Sequence, residues 1–556
     1  MAVRLLKMAV LLLAGAGMVF AGGRSQSSGG AASGSGTQTL VIGMESNSFV
    51  TDYKDNYLTK YLEKLHNIDI QFYMLPEAPQ EIRTKVALMV SSNDLPDVII
   101  TDDLTQEAIF QYGSGGAFIP LERYLSSPST APYFWQIPEE DRKAYQQYIT
   151  SADGHIYHLA RYEPETWNLT PTRLYMNQIW LDKLGLKVPS TTEELRQALI
   201  AFRDGDPNGN GRKDEIGITG WFRGTYGENV ITGLINSFVF YTQGSAGPGL
   251  ALDDSGAKVT APFTEPNFRK ALQYLNTLYR DGVLSASVFT NDQQQYRAEL
   301  NNATAIVALT SAGSLSNWPQ ASVDKNANFA EMRMVPPFKG PDGIAYSPYS
   351  GFVPSSTTFI TSKSRNPDLA FKVMDSMLEH TISIIQRFGE EGVDWTRDPK
   401  ILAQDTNAYV AMGIYPSLSI VELTDIWNAP SKQFWHNQGP RYASMQQGNT
   451  RGSLQAPYDP NSYAAMVNGY NYQFNLEAHP RHILPSPLKY TEEEASRIVE
   501  PISNVNDYVL QAIAEFTIGT RDINNDTQWN NYLRDLNSMG LPAWLTAAQA
   551  AYDRVK

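Results

Sequence analysis

The ten residues from 206 to 215, DPNGNGRKDE, carry the densest chemistry in this sequence. Oxygen-bearing side chains alternate there with two glycines, which lets a tight loop direct several oxygens at one centre. The oxygen donors are Asp206, Asn208, Asn210, Asp214 and Glu215, with a backbone carbonyl available from Arg212. Calcium prefers an all-oxygen shell of about six to eight ligands, whereas magnesium prefers a rigid octahedron that keeps its waters. The pattern therefore predicts a calcium-binding loop, with a solvated Asn-Gly turn as the alternative.

The start of this stretch matches the opening of an EF-hand loop, in which acidic and Asn positions alternate before a Gly. The match then ends, because an EF-hand has Glu at its twelfth position, where this chain has Gly217. Asp214 and Glu215 would have to complete the ligand shell instead. The expectation is thus a calcium loop closed by these two acids rather than a complete EF-hand.

Strand-like apolar runs and helical patterns alternate early in the chain, and these elements must position any site. Their order is a strand at 40–44, a helix at 52–65, a strand at 68–74, a helix at 82–89 and a strand at 97–100. Later, Thr191 and Glu194 form a capping-box pattern that opens a helix ending at the 206–215 loop. Such alternation predicts an α/β fold of mostly parallel sheets with flanking helices.

Composition limits the classes of function. The chain has 556 residues. A single hydrophobic core rarely supports a chain of this length, so two or more domains are expected. Its net charge of −14 repels phosphate backbones and argues against nucleic-acid binding. The sequence has no cysteine, which excludes disulfides, thiolate metal sites and cysteine nucleophiles.

Residues 1–21 have the layout of an export signal. Arg4 and Lys7 precede an apolar stretch too short for a comfortable membrane span, and Ala21 offers a small residue for cleavage. An uncleaved anchor is the alternative. Residues 22–38 are rich in Gly and Ser, which predicts a flexible tether. We therefore expect a soluble periplasmic or secreted protein.

Several sequence blocks resemble, in order, those of one bacterial family. They are SSNDLPDV at 91–98, LYMN at 174–177, WLDKLGL at 180–186, LYRDG at 278–282, RFG at 387–389, GVDW at 392–395, FTIG at 516–519 and AAYDR at 550–554. Each block is short, but together they span about residues 40–556. The chain thus resembles the long extracellular solute-binding proteins (family 1) of bacterial ABC importers, the group of lipoprotein LipO and the alginate-binding proteins.

This resemblance implies a two-lobed periplasmic-binding-protein fold of type II, with a ligand cleft at a hinge. It implies an N-lobe of residues 39–160 with 346–395, and a C-lobe of residues 161–345 with 396–556. The implied protein is a monomer that captures a sugar or oligosaccharide and delivers it to permease subunits in the membrane. A binder that serves sensing rather than transport would share the fold.

The resemblance also implies a structural calcium ion away from the cleft, as in the alginate-binding proteins. Its ligands would be Asp206, Asn208, Asn210, the Arg212 carbonyl, Asp214 and Glu215. Many relatives carry a lipidated cysteine at the cleavage point. This chain has Gly22 there, so the expected protein is not lipidated.

Candidate ligand-binding residues follow predicted strands or lie near the predicted lobe crossings, because clefts of such folds form at strand ends. Polar candidates are Glu45, Asn47, Asp102 and Asp103. Aromatic candidates for stacking on sugar rings are Trp167, Trp221, Tyr226, Trp318, Tyr349 and Trp395, with core packing as the alternative for each. Arg173, Arg223 and Arg441 are candidates to pair with an acidic sugar. Such arginines are more often surface ion-pair partners, so an alginate-like ligand is not implied.

The competing class is a secreted, calcium-stabilised carbohydrate-active enzyme, either a glycosidase or a lyase. A glycosidase needs two carboxylates about 5 to 10 Å apart, and the 58 acidic residues leave that open. The sequence has no Gly-x-Ser-x-Gly elbow, no Gly-Lys pair of a P-loop and no His-Glu-x-x-His motif. We therefore expect a binding protein rather than an enzyme.

Overall fold

The computed structural model of the protein describes most of the chain after the predicted tether. The described ranges are 37–151, 153–164, 166–224, 226–244, 247–314, 317–318, 326–349, 354–400, 418–420, 430–444, 451–453 and 470–556. The predicted export signal and nearly all of the predicted tether lie outside these ranges.

Strands and helices alternate through the first part of the chain, and helices dominate its end. The strands are β1 (Gln38–Glu45), β2 (Ile68–Leu75), β3 (Val98–Ile100), β4 (Leu159–Tyr162), β5 (Leu174–Asn177), β6 (Ile216–Ile218), β7 (Gln243–Gly244), β8 (Gly247–Pro248), β9 (Ala251–Leu252), β10 (Val259–Thr260), β11 (Val307–Ser311), β12 (Met332–Met334), β13 (Ser355–Ile360), β14 (Trp395–Thr396), β15 (Leu418–Ile420), β16 (Arg441–Tyr442) and β17 (Arg451–Ser453).

The α-helices are Tyr57–His66, Pro79–Ser92, Gln106–Ser114, Glu122–Leu125, Glu139–Ile149, Thr166–Leu169, Gln178–Lys183, Thr192–Gly205, Val230–Ile235, Pro266–Arg280, Gln293–Leu300, Ala327–Glu331, Pro367–Ser376, His380–Phe388, Asn471–Phe474, Glu492–Ile518, Asp526–Ser538 and Leu541–Asp553. Short 3-10 helices occupy Phe134–Gln136, Pro262–Thr264 and Ala286–Phe289. No helix within the described ranges combines the length and the apolar character that crossing a membrane requires.

The first lobe is built on a six-stranded sheet with the order β16-β4-β13-β3-β1-β2. β1 pairs in parallel with both β2 and β3, as the alternating sequence pattern predicts. β13 runs antiparallel to β3 and β4, and β16 runs parallel to β4. Met44 pairs with Ile100, so the carboxyl ends of β1 and β3 lie side by side.

Hydrophobic side chains cover this sheet and form the first core. Leu40, Ile42 and Met44 of β1 are buried, because alternate residues of a strand point to the same face. Leu62 of the helix Tyr57–His66 and Met374 of the helix Pro367–Ser376 join the same core cluster. The sheet and its helices thereby hold the ends of β1 and β3 at fixed positions.

The second lobe is built on a four-stranded sheet with the order β12-β5-β11-β6. β11 is parallel to β6, whereas β5 is antiparallel to both β11 and β12. This sheet is therefore mixed, unlike the mostly parallel pairing expected from the sequence. The reason is that β5 arrives from the other lobe and no helical crossover fixes its direction.

A separate core packs on the second sheet. Trp180, which its helical spacing predicts to be internal, has no exposed surface and packs against Phe202. The long C-terminal helix Glu492–Ile518 adds Val509 and Phe516 to this core. Two sheets with two distinct cores give the two-lobed α/β architecture.

The segment around β16 departs from the predicted lobe boundaries. The family resemblance implied that all of 396–556 belongs to the C-lobe, but β16 pairs with β4 in the first sheet. Trp435 also belongs to the first core, and its indole N–H donates to Thr59 at 2.8 Å. This assignment was wrong for the segment because a two-residue strand and one tryptophan leave no periodic signal in the sequence.

Candidate functional site

Three carboxylates meet at the carboxyl ends of β1 and β3. Glu45 ends β1, and Asp102 and Asp103 follow β3. One oxygen from each of these side chains lies within 4.8 Å of one from each of the others. Parallel pairing of β1 with β3 brings them together, as strand-end reasoning predicts. We call this group the strand-end acids.

The strand-end acids repel one another. Burial, followed by the charges of Asp102 and Asp103, raises the pKa of Glu45 from 4.5 to about 7. Burial and the Asp102 charge also raise the pKa of Asp103. A hydrogen bond from Thr101 Oγ1 to Glu45 Oε2, 2.9 Å long, opposes the rise at Glu45. This edge of the sheet is thus rich in acceptors and poor in donors.

Asn47, the fourth polar candidate, lies just beyond β1 and contacts the segment that leads into β16. Its amide nitrogen is 3.4 Å from His436 Nδ1. Nearby, the Tyr53 hydroxyl lies 2.9 Å from the Glu45 carbonyl and 2.6 Å from Gln438 Oε1. The returning segment therefore forms one wall beside the strand-end acids.

An arginine cluster surrounds Glu163 where the chain leaves β4. Arg441 Nη1 is 2.6 Å and Arg387 Nη1 is 3.6 Å from Glu163 Oε1, and Arg161 Nε is 3.8 Å from Oε2. Burial opposes a charge on Glu163, but the three guanidinium groups outweigh it and hold the pKa of Glu163 below its usual range. Arg161 also donates to Asp102 at 3.2 Å, which connects the arginine cluster to the strand-end acids.

Trp167 connects this first-lobe network to the second lobe. The Arg387 guanidinium lies over the Trp167 ring, 5.3 Å from its centroid. The Tyr226 hydroxyl is 3.4 Å from the Trp167 carbonyl and 3.0 Å from Asn168 Oδ1. Two predicted aromatic candidates, Trp167 and Tyr226, are therefore brought together at the crossing between the lobes.

Glu228 fixes the loop that carries Tyr226. Its buried carboxylate accepts hydrogen bonds from the Tyr226 backbone N–H at 2.9 Å and from Asn317 Nδ2 at 3.1 Å. A Cβ added at Gly313 would lie 1.7 Å from the Tyr226 carbonyl oxygen, so the loops after β6 and β11 meet closely only because this residue is glycine. These contacts hold Tyr226 in place.

The remaining tryptophan candidates lie in or against the cores. Trp221 is half-buried, while Trp318 and Trp395 expose 1% and 0% of their surface. The Trp318 ring packs on Tyr175 with centroids 5.5 Å apart. The Trp395 indole N–H donates to the Gly389 carbonyl at 2.8 Å. In this structure Trp318 and Trp395 act as packing groups, and neither offers a ring face for stacking.

Tyr349 lies close enough to Tyr162, the last residue of β4, for the two side chains to interact electrostatically. Its ring centroid is 4.1 Å from that of His479, and its side chain lines a cavity of about 190 Å³ together with Trp544 and Tyr490. The predicted aromatic candidates are thus divided between the crossing, the cores and this cavity.

The Asp206–Glu215 loop folds back on itself. Asn208 and Asn210 donate to Asp214 Oδ1 at 2.9 and 3.1 Å, and the Gly211 N–H donates to Asp206 Oδ2 at 3.0 Å. Both glycines of the loop have positive φ, 72° and 70°, which permits the tight turns. The loop therefore directs the carboxylates and amides of one short stretch toward each other.

Glu215 completes this loop from inside. Its Oε1 is buried and has no hydrogen-bond partner among the residues that the structure describes. Burial, then the charges of Asp206 and Asp214, raises the pKa of Glu215. By contrast, the hydrogen bond from Asn208 leads the causes that lower the pKa of Asp214. Clustered acids with a buried free oxygen match the donor set of a hard cation.

Sequence reasoning missed Arg161, Glu163 and Glu228. Arg161 lies in β4 and Glu163 follows it, so the strand-end argument used for β1 and β3 would have found both. Glu228 carries no such signal, because its role depends on the loop after β11.

The sequence matches the profile of the bacterial extracellular solute-binding proteins over residues 49–382, more than half of the chain. It is 25% identical over 513 residues to FusA of Streptococcus pneumoniae, a fructooligosaccharide ABC transporter substrate-binding protein, and the match covers 90% of this chain and 88% of FusA.

It is also 24% identical over 345 residues to YtcQ of Bacillus subtilis, a polygalacturonan/rhamnogalacturonan-binding protein. That match covers 61% of this chain and 63% of YtcQ. Among solved structures, the FusA EF-hand mutant in complex with fructo-nystose superposes with a TM-score of 0.71 at 22% identity, over 93% of this chain and 99% of that one. The similarity in structure supports the same two-lobed architecture.

Proposed function

Because this chain belongs to the family of bacterial extracellular solute-binding proteins, we propose that it is the extracytoplasmic sugar-capturing subunit of an ABC importer. Its ligand is a sugar or oligosaccharide held between the lobes and passed to permease subunits in the membrane. It binds this ligand as a monomer and does not cleave it. Residues 1–21 serve as the export signal in this proposal.

The observation that supports this proposal best is the continuous network across the lobe crossing. Hydrogen bonds and ion pairs connect Asp102 through Arg161 to Glu163 and Arg387. Arg387 then contacts Trp167, whose carbonyl lies beside the Tyr226 hydroxyl. Polar acceptors of one lobe and an aromatic ring of the other therefore border the same crossing, which suits a ligand with hydroxyls on its edges and C–H groups on its faces.

Closure of the lobes would allow both halves to contact one ligand. The strand-end acids would accept hydrogen bonds from sugar hydroxyls, and Tyr226 would pack against a sugar ring. A ligand shifts the open and closed populations only by its difference in affinity for the two states. Contacts made by both lobes at once are of this kind, because they exist only in the closed state.

A thermal-shift screen of the mature protein against neutral and acidic oligosaccharides tests this function. A bound sugar stabilises the folded state by about 3 kcal/mol at a hundredfold excess over Kd, which gives a clear rise in Tm. Each hit is then incubated with the protein and analysed by chromatography. An intact sugar supports binding alone, whereas cleaved products would favour the glycosidase or lyase alternative.

Tyr226→Ala provides a site-directed test with a matched control. Tyr226 and Tyr73 are 38% and 40% exposed, so truncating either removes a similar amount of exposed ring. We expect Tyr226→Ala to weaken sugar binding about tenfold, because it removes an aromatic packing surface. Tyr73→Ala should leave the Kd of the sugar unchanged. Equal Kd values for the two variants would contradict a role of Tyr226 in the cleft.

We also propose that the Asp206–Glu215 loop holds a structural calcium ion. Its ligands are side-chain oxygens of Asp206, Asn208, Asn210, Asp214 and Glu215 with the Arg212 carbonyl. The buried free Oε1 of Glu215 supports this proposal, since an ion would satisfy an oxygen that has no donor in the described structure. One of the solved FusA structures is that of an EF-hand mutant, so this relative has an EF-hand, and this supports the proposal as well. The bound ion would neutralise three clustered acids and stabilise the end of the helix Thr192–Gly205.

Calcium removal tests this second proposal. The metal content of the purified protein is first measured by mass spectrometry. Chelation should lower the Tm. For an ion present at a hundred to a thousand times its Kd, the free energy of unfolding should fall by about 3 to 4 kcal/mol. Re-addition of calcium, but not of magnesium at the same concentration, should restore the Tm. Protein that contains calcium and keeps its Tm after complete removal would contradict a structural role.

A further inference from the structure

The charges around the lobe crossing are unevenly distributed between partnered cations and repelling acids. The acids face one another at the strand ends, and several neighbouring cations are occupied by partners. This distribution bears on whether the ligand is neutral or acidic. The relatives leave that open, since FusA is named for fructooligosaccharides, which are neutral, and YtcQ for an acidic polysaccharide.

The arginines at the crossing already have partners. Arg387 and Arg441 both lie against Glu163, and Arg161 is shared between Glu163 and Asp102. Arg173, an earlier candidate to pair with an acidic sugar, is fully buried, and its Nη2 donates to the Gly313 carbonyl at 2.9 Å. A sugar carboxylate would therefore have to compete with contacts that the protein makes internally.

The strand-end acids, in contrast, have acceptor oxygens left over. Asp102 is exposed and Glu45 and Asp103 are half-buried, so their oxygens remain accessible from the edge of the sheet. Near these acids, the Gln438 side chain is buried, with 8% of its surface exposed. Its Nε2 has no hydrogen-bond partner within the described residues. A buried amide nitrogen without an acceptor lies near acceptors without donors, a combination that hydroxyl groups satisfy because they both donate and accept.

The segments outside the described ranges add little positive charge. After the predicted tether, their only lysine or arginine is Lys325, whereas the segments 401–417, 421–429 and 454–469 contain acids and no basic residue. Arg223 is the exposed cation on the loop that carries Tyr226. At the strand ends themselves, the Arg83 charge opposes the rise in the pKa of Asp103, and Arg161 pairs with Asp102. The three strand-end carboxylates therefore outnumber the two guanidinium groups that neighbour them.

Resting on the proposed sugar-binding function, we propose that the ligand is a neutral oligosaccharide, read by hydroxyl donation to Glu45, Asp102 and Asp103, and that these acids reject uronate chains. A hydroxyl donor gains a charge-assisted hydrogen bond at this edge. A uronate brings one negative charge per sugar unit toward acids that already repel one another. Specificity then comes from repulsion of the wrong ligand as much as from attraction of the right one.

The test uses pairs of ligands in which a carboxylate at C6 replaces the neutral hydroxymethyl group. Neutral gluco-, galacto-, manno- and fructo-oligosaccharides are compared with the same chains oxidised at C6, by calorimetry on the mature protein. The neutral member of a bound pair should bind about 100-fold more tightly than its oxidised counterpart. Its Kd should change less than about twofold with added salt, because no ligand charge is screened.

Two outcomes would overturn the proposal and are distinguishable. Tighter binding of an oxidised chain would refute the neutral ligand and leave the sugar-binding function in place. No binding of any chain, neutral or oxidised, would contradict the proposed function itself and the inference with it.

Asp103→Asn, with Asp94→Asn as its control, tests the assigned residues. Asp94 is an exposed acid before β3 and Asp103 follows β3, so the two variants each remove one charge, on opposite sides of this strand. Asp103→Asn should weaken binding of the neutral ligand about tenfold. The ratio of the affinities for the neutral and the oxidised chain should fall to less than about tenfold. Asp94→Asn should change neither value. An unchanged preference in an Asp103→Asn protein with normal Tm would refute the role of this carboxylate.

Discussion

In the Asp206–Glu215 loop the carboxylates of Asp206 and Asp214 receive hydrogen bonds from their own stretch of chain, whereas at the strand ends Glu45, Asp102 and Asp103 face one another. The loop alternates acids with amides and glycines, so Asn208 and Asn210 both donate to Asp214. The strand-end acids come from strands separated by more than fifty residues, and Thr101 is a side-chain donor to one of them.

This difference separates two ways of building an acidic site. A loop that is local in sequence carries its own donors, so its carboxylates are held together before an ion arrives. A cluster assembled by sheet topology does not carry its donors in the same stretch of chain, and burial together with the neighbouring acids raises the pKa of Glu45 to about 7. The first arrangement suits an ion of high charge, and the second suits a ligand that donates hydrogen bonds.

The largest expected effect separates the two clusters by their response to calcium. Asp206→Asn combined with Asp214→Asn should abolish the stabilisation by calcium. In saturating calcium, the free energy of unfolding should therefore fall by about 3 to 4 kcal/mol relative to the wild type. Glu45→Gln combined with Asp103→Asn should retain the full calcium response, because the strand-end acids take no part in it. Urea unfolding with and without calcium measures both. Loss of the response in the strand-end variant would show that the clusters are not separate.

A smaller effect concerns pH. A carboxyl whose folded pKa lies above its unfolded value destabilises the folded state once it is charged, so the cost is absent below pH 4.5 and fully present above about pH 7. Glu45→Gln removes this cost. The variant should equal the wild type near pH 4.5 and exceed it by about 1 kcal/mol at pH 8, after allowance for solvent screening.

Urea unfolding at the two pH values measures the change at Glu45. Glu77→Gln, an exposed acid after β2, is the matched control and should show no gain at pH 8. A gain of the same size at both pH values would mean that Gln packs better and that the charge of Glu45 is not the cause.

The smallest effect tests the donor at the strand ends. Thr101→Val removes the hydroxyl that donates to Glu45 at 2.9 Å, so the pKa of Glu45 should rise further, by less than about one unit. Carboxyl-carbon NMR follows this titration directly. Thr84→Val, which alters an exposed hydroxyl on the helix Pro79–Ser92, should leave it unchanged. If the titration of Glu45 is the same in Thr101→Val as in the wild type, the hydrogen bond from Thr101 does not influence the pKa of Glu45.

Local patterns in the sequence predicted β1, β2 and β3 of the first sheet and the residues of both acidic clusters. The run at 40–44 lies within β1, and the alternation of strands and helices explains why the ends of β1 and β3 adjoin. Calcium binding by the 206–215 loop remains a prediction. What these successes share is a signal contained in a few neighbouring residues or in one repeated βα unit.

Long-range features were not predictable in this way. The region near 400–480 has no clean periodicity, and the pairing of β16 with β4 depends on residues about 280 positions apart. Aromatic residues in turn-rich segments gave no indication of their burial, so Trp318 and Tyr226 looked equivalent although one is buried and the other exposed. Glu228 was invisible for the same reason, since its partner Asn317 lies on another loop.

The return of β16 to the first sheet has a mechanical consequence. The chain passes between the lobes after β4, again before β13, and a third time between β16 and the helix Asn471–Phe474, whose Phe474 packs on the second lobe. Three polypeptide connections limit the relative motion of two rigid bodies more than one connection does, because twisting or sliding would stretch at least one of them. A triple connection of this kind favours bending over twisting or sliding, and it keeps the two faces near one alignment.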